Sequence, residues 1–260
     1  MRVRAVEGGD LGAVAEIAVA NADNAGSDPR YVAHLRAHGR FWVADDVGTV
    51  AGYCATRRIG DATMLCDLFI APERQGRGLG RTLLGHAFPE PGARFTFASK
   101  DPRALPLYIR FGMAPRWPLL YLNGPPVPGG PCGEAVSAAE AADAAARLGS
   151  PGRLPDFAFW ADAPGGHGVV VRDGRGVVAA GAAGPRTLRH LTVAAGADPA
   201  AAVLAATGMF AAPLTACLPG PHPAVPRLLA AGWRVTEYDH HMSSAPDLVA
   251  ATGVLSPSLA

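Results

Sequence analysis

The sequence predicts a mixed α/β protein built from two domains. Short apolar stretches of strand length alternate with longer amphipathic stretches of helix length along the chain. A strand ending at Ile70 runs into a glycine-rich loop, and a helix begins directly after that loop. The same order of elements returns in the second half of the chain, which indicates an internal repeat.

The composition bounds the class of protein. The chain has 260 residues, of which 49% are hydrophobic, and a formal net charge of +1. That length supports one large or two modest cores, and near-neutral charge argues against a general nucleic-acid or membrane-surface binder. The sequence predicts no bilayer-spanning segment and no signal peptide at Met1–Glu7. Four widely spaced cysteines indicate neither a zinc site nor a disulfide framework, so we expect a cytoplasmic protein.

The first domain contains ten predicted elements. Turn chemistry at residues 45–48 favours a hairpin, and Asp10 is expected to cap the first helix. The predicted elements are strand 2–6, helices 11–20 and 30–38, strands 41–44, 49–55 and 63–70, helix 79–88, strand 94–98, helix 102–111 and strand 117–122.

The loop Gln75-Gly76-Arg77-Gly78-Leu79-Gly80 has the chemistry of an anion site. Glycines at a helix start let the backbone approach a ligand closely, and the amides of the first helical turn point at it. Arginine side chains add positive charge beside the loop. A P-loop would need Gly-Lys-Ser/Thr, which the loop lacks. We therefore expect a phosphate-rich ligand of another kind.

Two motifs, in order, identify the family resemblance. The glycine loop matches the signature Gln/Arg-x-x-Gly-x-Gly/Ala. The segment from Asp101 to Met113 is similar to Asn-x-x-Ala-x-x-Leu-Tyr-x-x-x-Gly-Phe, with Asp101 in place of Asn and Met113 in place of Phe. With both motifs, residues 1–123 resemble a complete GNAT N-acetyltransferase domain. The resemblance implies the GNAT fold, a mostly antiparallel central sheet flanked by helices, and acetyl-CoA as cosubstrate without a metal.

The resemblance also implies the donor site. Backbone groups of the strand before the loop would hold the pantetheine and the acetyl carbonyl, and the loop would hold the phosphates. The implied cofactor-binding residues are Leu68, Phe69, Ile70, Gln75, Gly76, Arg77, Gly78, Leu79, Gly80, Arg81 and Asp101.

Two residues are expected to act on protons. Tyr108 matches the family's general acid, and a phenol with a pKa of about 10 can protonate a leaving thiolate at modest cost. The alternative is a core aromatic residue. Asp67 is the candidate general base, directly or through water, or a group that binds a cationic acceptor. A structural pairing of Asp67 with an arginine is an equal alternative.

The second domain is expected to be a degenerate copy of the first. Ala104-x-Pro106 and Gly112 recur with identical spacing as Ala224-x-Pro226 and Gly232. Leu228 stands where Tyr108 stands in the first copy, and residues 194–202 contain no glycine-rich arginine loop. The predicted organisation is a catalytic domain over 1–123, a Pro/Gly-rich linker over 124–133, a degenerate GNAT-like domain over 134–245 and a tail over 246–260.

The function implied by the resemblance is acetyl transfer from acetyl-CoA to a primary amine of a small molecule or peptide, by direct attack. The alternative is a non-catalytic acyl-CoA-binding regulator or scaffold. The acceptor is expected to bind near residues 20–29 and 117–121, where Asp23 and Asp28, with Asp67, hint at a cationic acceptor. We expect no nucleic-acid or membrane partner, and a monomer or homodimer.

Overall fold

The structure is a computed structural model that describes residues 1–22, 26–89, 91–127 and 133–260. Residue contacts divide the chain into two compact units. The first unit comprises Met1–Pro115 and Met242–Leu248, and the second comprises Arg116–His241 and Val249–Ala260. The domain boundaries expected from the sequence, 1–123 and 134–245, stay a prediction.

The first unit begins with a strand and two helices and continues with the strands that frame the cavity described below. The strands and helices among the described residues of this unit are β1 (Arg2–Ala5), α1 (Leu11–Ala20), α2 (Pro29–His38), β2 (Arg40–Asp46), β3 (Thr49–Ile59), β4 (Ala62–Ile70), α3 (Leu79–Ala87), β5 (Arg94–Ala98) and α4 (Ala104–Arg110). The next strand, β6 (Ala114–Gly124), begins in the first unit and continues into the second.

The sheet of the first unit opens between two neighbouring strands. Its order is β1-β2-β3-β4-β5, and only β4 and β5 run parallel. Their paired residues extend from Thr63–Arg94 to Leu65–Thr96, whereas β4 continues to Ile70. The Thr96 hydroxyl donates a hydrogen bond of 3.0 Å to the Leu65 carbonyl at this point. Beyond Leu65 the two strands diverge, and the backbone at the end of β4 is available to a ligand.

A β-bulge in β4 adjoins this opening. Ala55 of β3 lies opposite Asp67, while the next residue, Thr56, lies opposite Leu65. Cys66 is therefore the extra residue, and a bulge of this kind bends the strand and re-aims the side chains that follow it.

The helices α3 and α4 pack on one apolar cluster of the first unit. Leu83 and Leu84 of α3 are fully buried beside Tyr108 of α4 and Met113. Met242 belongs to the returning segment, Met242–Leu248, which is the second stretch of the first unit. It joins the same cluster and is also fully buried. The core thus fixes the helix that follows the glycine loop against the helix that carries Tyr108.

The second unit repeats the element order of the first. Its sheet contains the neighbours β7-β8-β9-β10-β11 and one parallel pair, β10 with β11, while residues of β6 pair antiparallel with β11. Its further elements are β7 (Glu134–Val136), α5 (Ala138–Arg147), α6 (Leu154–Ala161), β8 (His167–Asp173), β9 (Gly176–Gly184), β10 (Thr187–Val193), α7 (Pro199–Thr207), β11 (Leu214–Pro219), α8 (Ala224–Ala230) and β12 (Arg234–Ser243).

The repeat predicted from the sequence is confirmed at the turns that follow α4 and α8. Gly112 and Gly232 have φ values of +77° and +88°, in the left-handed region that glycine favours. The Met113 amide donates to the Tyr108 carbonyl at 3.2 Å, and the Trp233 amide donates to the Leu228 carbonyl at 3.0 Å. Both helices therefore end by the same mechanism.

The start and the last segment of the second unit show features that the sequence analysis did not predict. Helix α5 begins at Ala138, where the Ser137 side chain accepts the Glu140 amide as an N-cap, and the residues before it form β7. Helix α6 was not predicted. The segment expected to be a tail is packed: Val254 bridges to Leu191, and the Leu255 amide donates to the Cys217 carbonyl at 3.0 Å.

Within the described residues, no helix combines the length and the apolar character that a bilayer crossing requires.

Candidate active site

The opening between β4 and β5 leads into a cavity of about 490 Å³ in the first unit, which we call the donor cavity. Four segments form its walls: the end of β4, the glycine loop, the start of α3, and α4 with the residues before it. The lining residues that the sequence analysis named are Leu68, Phe69, Ile70, Gln75, Gly76, Gly78, Leu79, Gly80, Arg81, Asp101 and Tyr108.

The glycine loop leaves room for a ligand against the backbone. Gly76 and Gly78 have φ values of +75° and +82°, and a Cβ added to either would meet nothing within 4 Å. Gly78 is the N-cap of α3, and no side chain of the described residues caps this helix end. The amides of the first turn therefore form an anion site with the positive end of the helix dipole.

Gly80 serves packing. A Cβ on Gly80 would lie 3.2 Å from Cδ2 of Leu107, which is closer than ordinary van der Waals contact. The absence of a side chain at Gly80 thus lets α3 approach α4.

The three arginines of the loop region lie in different places. Arg81 lines the donor cavity, where its charge complements an anion. Arg74 also lines it, and its Nη1 forms an ion pair of 2.7 Å with Oδ2 of Asp46. Arg77 is exposed and is not a lining residue.

Gln75 uses its side chain to hold the loop in place. Its Nε2 donates to Oδ1 of Asn21 and to the Ile70 carbonyl, both at 3.1 Å. Its Oε1 accepts a hydrogen bond of 2.6 Å from Nη1 of Arg103. The amide therefore ties the loop to the end of β4, to α1 and to the segment before α4, which leaves ligand contacts to the loop backbone.

Asp101 lies just before the helix that carries Tyr108. That helix was predicted to begin at residue 102, but α4 begins at Ala104. The Asp101 carboxylate accepts the Arg103 amide at 2.9 Å and pairs with the Arg103 guanidinium at 2.6 Å. The Arg103 hydrogen bonds hold the pKa of Asp101 below its usual value. Asn21 and Arg103 line the cavity although the sequence analysis missed both, since neither lies at a motif position.

Tyr108 lies in the same cavity as the glycine loop. Its side chain is 7% exposed, and it belongs to the apolar cluster between α3 and α4. The structure therefore brings the candidate acid and the candidate phosphate cradle together from motifs about 30 residues apart.

Asp67 is placed apart from the donor cavity. It is 5% exposed and is not a lining residue of the cavity. Its side chain points to the strand face opposite that of Leu68. The Tyr31 hydroxyl of α2 donates to its Oδ1 at 3.1 Å. Asp67 is thus bonded to α2, and its neighbour in the chain, Leu68, lines the cavity.

The structure shows no metal site in the part of the chain that it describes. No cluster of three or more His, Cys, Asp and Glu residues there could hold an ion. The rings of His34 and His38 lie 4.9 Å apart, but Nε2 of His34 lies 3.3 Å from the Arg57 guanidinium. The positive charge of Arg57 next to that nitrogen disfavours the binding of a metal cation there. Asp23, considered for acceptor binding, lies outside the described residues, as does Cys132.

The equivalent helix start in the second unit is closed to anions. Asp198 caps α7, and its Oδ1 accepts the amides of Ala200 at 2.9 Å and Ala201 at 3.1 Å. A carboxylate therefore occupies the place that a phosphate would take. Leu228, in the position of Tyr108, is fully buried and has no proton to give.

Comparison with known proteins supports this geometry. Residues 37–112 match a family model described as an acetyltransferase (GNAT) domain. The matched segment contains β4, the glycine loop and Tyr108. No curated protein matches the chain.

Solved structures resemble the chain over nearly its full length. A candidate acetyltransferase from Pyrococcus horikoshii has a TM-score of 0.73 at 14% identity, covering 100% of this chain and 95% of its own. A GCN5-related N-acetyltransferase from Anabaena variabilis has a TM-score of 0.65 at 12% identity, and the match covers 93% of this chain and 72% of that protein. A tandem GNAT protein from the clavulanic acid biosynthesis pathway has a TM-score of 0.63 at 13% identity, and the match covers 96% of this chain and 100% of that protein. At these identities the likeness establishes the fold alone, and the predicted GNAT fold is confirmed.

Proposed function

We propose that this chain, in which residues 37–112 match a family model described as an acetyltransferase (GNAT) domain, transfers an acetyl group from acetyl-CoA to a primary amine. The acceptor is a small molecule or a peptide. One observation carries the proposal: an uncapped, glycine-lined helix start and a tyrosine share one cavity of about 490 Å³.

The donor cavity fits the pyrophosphate of coenzyme A. Open space above Gly76 and Gly78 admits phosphate oxygens to the loop backbone. The amides of the first turn of α3 and the Arg81 guanidinium supply hydrogen bonds and positive charge. Gln75 keeps the loop in this shape through its three hydrogen bonds.

Transfer requires an electrophile held at the end of β4. Backbone amides of Leu68, Phe69 and Ile70 lie beyond the last residue that pairs with β5. An amide aimed at the thioester oxygen stabilises the negative charge that develops there as the amine attacks, an effect worth about 3 kcal/mol per donor. The new C–N bond forms and the C–S bond breaks.

Protons then move at both ends of the reaction. Tyr108 gives its phenol proton to the departing thiolate, and its position between α3 and α4 keeps the hydroxyl-bearing ring in the cavity wall. Asp67 accepts the amine proton through water, since its side chain does not line the donor cavity. Tyr31 orients that carboxylate.

A thiol-release assay tests the proposal directly. Purified protein with acetyl-CoA is offered aminoglycosides, polyamines, amino acids and peptide N-termini, and free thiol is measured against a Gly78→Asp control. Amine-dependent thiol release supports acetyl transfer. Coenzyme binding by titration calorimetry without release with any amine would favour the regulator, and the absence of binding would overturn both.

A further inference from the structure

The first unit has a second cavity, of about 590 Å³, which we call the basic cavity. Thr63 at the start of β4 lines it, whereas Leu68 and Ile70 toward the end of the strand line the donor cavity. Thr63 and Leu68 are five positions apart along the extended strand, or about 17 Å. The two cavities share no lining residue among those described, so the basic cavity is a separate site.

The lining of the basic cavity is strongly cationic. Four arginines and a histidine contribute to it, and Asp61 is the one carboxylate among the described lining residues. These cationic side chains come from the end of α2, the start of β2, the end of β3 and the start of β5, so the fold gathers them from separate parts of the sequence. They are His38, Arg40, Arg57, Arg58 and Arg94.

Two of the guanidinium groups are held by the fold. Arg57 is 6% exposed, and its Nη1 lies 3.3 Å from Nε2 of His34. The Arg94 guanidinium lies 4.9 Å from the centre of the Phe88 ring, and its Nε donates to the Gly92 carbonyl at 3.1 Å. Burial lowers the pKa of Arg94 below its usual value. Fixed and partly desolvated cations interact with an anion more strongly than solvated ones do.

The other two arginines are exposed and lie at the rim. Neither Arg40 nor Arg58 forms an ion pair with a described residue, and Arg58 makes only a long contact of 3.5 Å with Oγ1 of Thr63. By contrast, Arg74 pairs with an aspartate within 3 Å. The donors at the rim are thus available to a ligand.

We propose that the basic cavity binds a small molecule carrying two or more phosphate or carboxylate groups. Several guanidinium groups around one concavity match the charge and the planar geometry of such groups. The volume lies within the range of small-molecule sites. The cavity shape favours a small molecule over a nucleic acid, which would need an extended basic surface.

Titration calorimetry with inorganic tripolyphosphate tests the proposal. The wild type is compared with the double variant Arg40→Gln/Arg58→Gln and with Arg77→Gln/Arg81→Gln, which removes the same charge from the donor loop. We expect the rim variant to raise the Kd of one site about tenfold or more, because two charge-assisted contacts are lost. We expect the donor-loop variant to bind tripolyphosphate at that site with the Kd of the wild type. Circular dichroism establishes that both variants are folded.

Three results would overturn the proposal. The first is tripolyphosphate affinity that is unchanged in the rim variant. The second is loss of all binding in the donor-loop variant, which would place the ligand in the donor cavity. The third is tighter binding of a single-stranded oligonucleotide than of tripolyphosphate, dependent on Arg40 and Arg58. Citrate, titrated in parallel, distinguishes a carboxylate ligand from a phosphate ligand.

Discussion

The Tyr31 hydroxyl donates a hydrogen bond of 3.1 Å to Oδ1 of Asp67, and this contact joins α2 to β4. Both side chains are buried, at 3% and 5% exposure. A carboxylate buried at that level needs donors, since its desolvation is otherwise costly. The contact therefore bears on the stability of the first unit and on the proposed base.

Tyr31→Phe is expected to lower the free energy of unfolding by about 2 kcal/mol, because a hydrogen bond to a buried charged group is lost. Chemical denaturation measures this. The same substitution in an Asp67→Asn background should cost clearly less, since the charge is already gone. Equal costs in the two backgrounds would show that the contact contributes little.

Tyr108→Phe is expected to lower turnover about 100-fold or more while leaving the Kd for acetyl-CoA nearly unchanged, because only the acidic proton is removed. Steady-state kinetics and calorimetry separate the two quantities. Tyr238→Phe, at an exposed residue of the second unit, is the control. Undiminished turnover in Tyr108→Phe would remove the general-acid assignment.

Gly78→Asp is expected to abolish coenzyme binding, because it places bulk and negative charge where a phosphate must bind. Gly196→Asp is a matched control: Gly196 has φ +81° against +82° for Gly78, and neither Cβ would meet an atom within 4 Å. Both substitutions impose the same backbone strain. Calorimetry with coenzyme A should therefore show loss of binding in Gly78→Asp alone. Equal loss of binding in both variants would contradict the placement of the donor site.

The second unit is expected to lose stability as the pH falls below about 6.5. Burial, with a smaller contribution from Arg116, lowers the pKa of His241 to about 4, and burial also lowers the pKa values of His190 and His222. The unfolded chain then binds more protons than the folded chain, so stability is fully present above the unfolded value and is lost below it. Each such histidine contributes a slope of up to about 1.4 kcal/mol per pH unit.

Denaturation between pH 4 and pH 8 measures this slope. His190→Gln should reduce the slope by up to about 1.4 kcal/mol per pH unit, the contribution of one proton, whatever its effect on stability at neutral pH. A free energy of unfolding that is flat across this range would contradict the prediction.

The local part of the site was predictable from the sequence. Glycines at alternate positions after a strand specify a backbone cradle, and Gly76 and Gly78 have the positive φ values that glycine allows. The motif around Tyr108 specified a helix ending at Gly112, and the structure has that ending. Such features depend on neighbours within a few residues.

The partners of these residues were not predictable. Asn21 meets Gln75 across 54 positions, and Tyr31 meets Asp67 across 36. Such contacts depend on how helices pack on the sheet, and no periodicity encodes them. The bulge at Cys66 and the position of Asp67 outside the donor cavity have the same origin, because they are set by strand register.

The returning segment Met242–Leu248 has a consequence for biosynthesis. Ser244 exchanges hydrogen bonds with Arg94 through its amide and its hydroxyl, at 2.9 Å and 3.0 Å, and Met242 fills the apolar cluster beneath α3. A nascent polypeptide that has left the ribosome only as far as β6 lacks these residues. The first unit therefore completes its fold only after translation has passed residue 248, and a product that terminates before Met242 lacks part of the apolar cluster on which α3 and α4 pack.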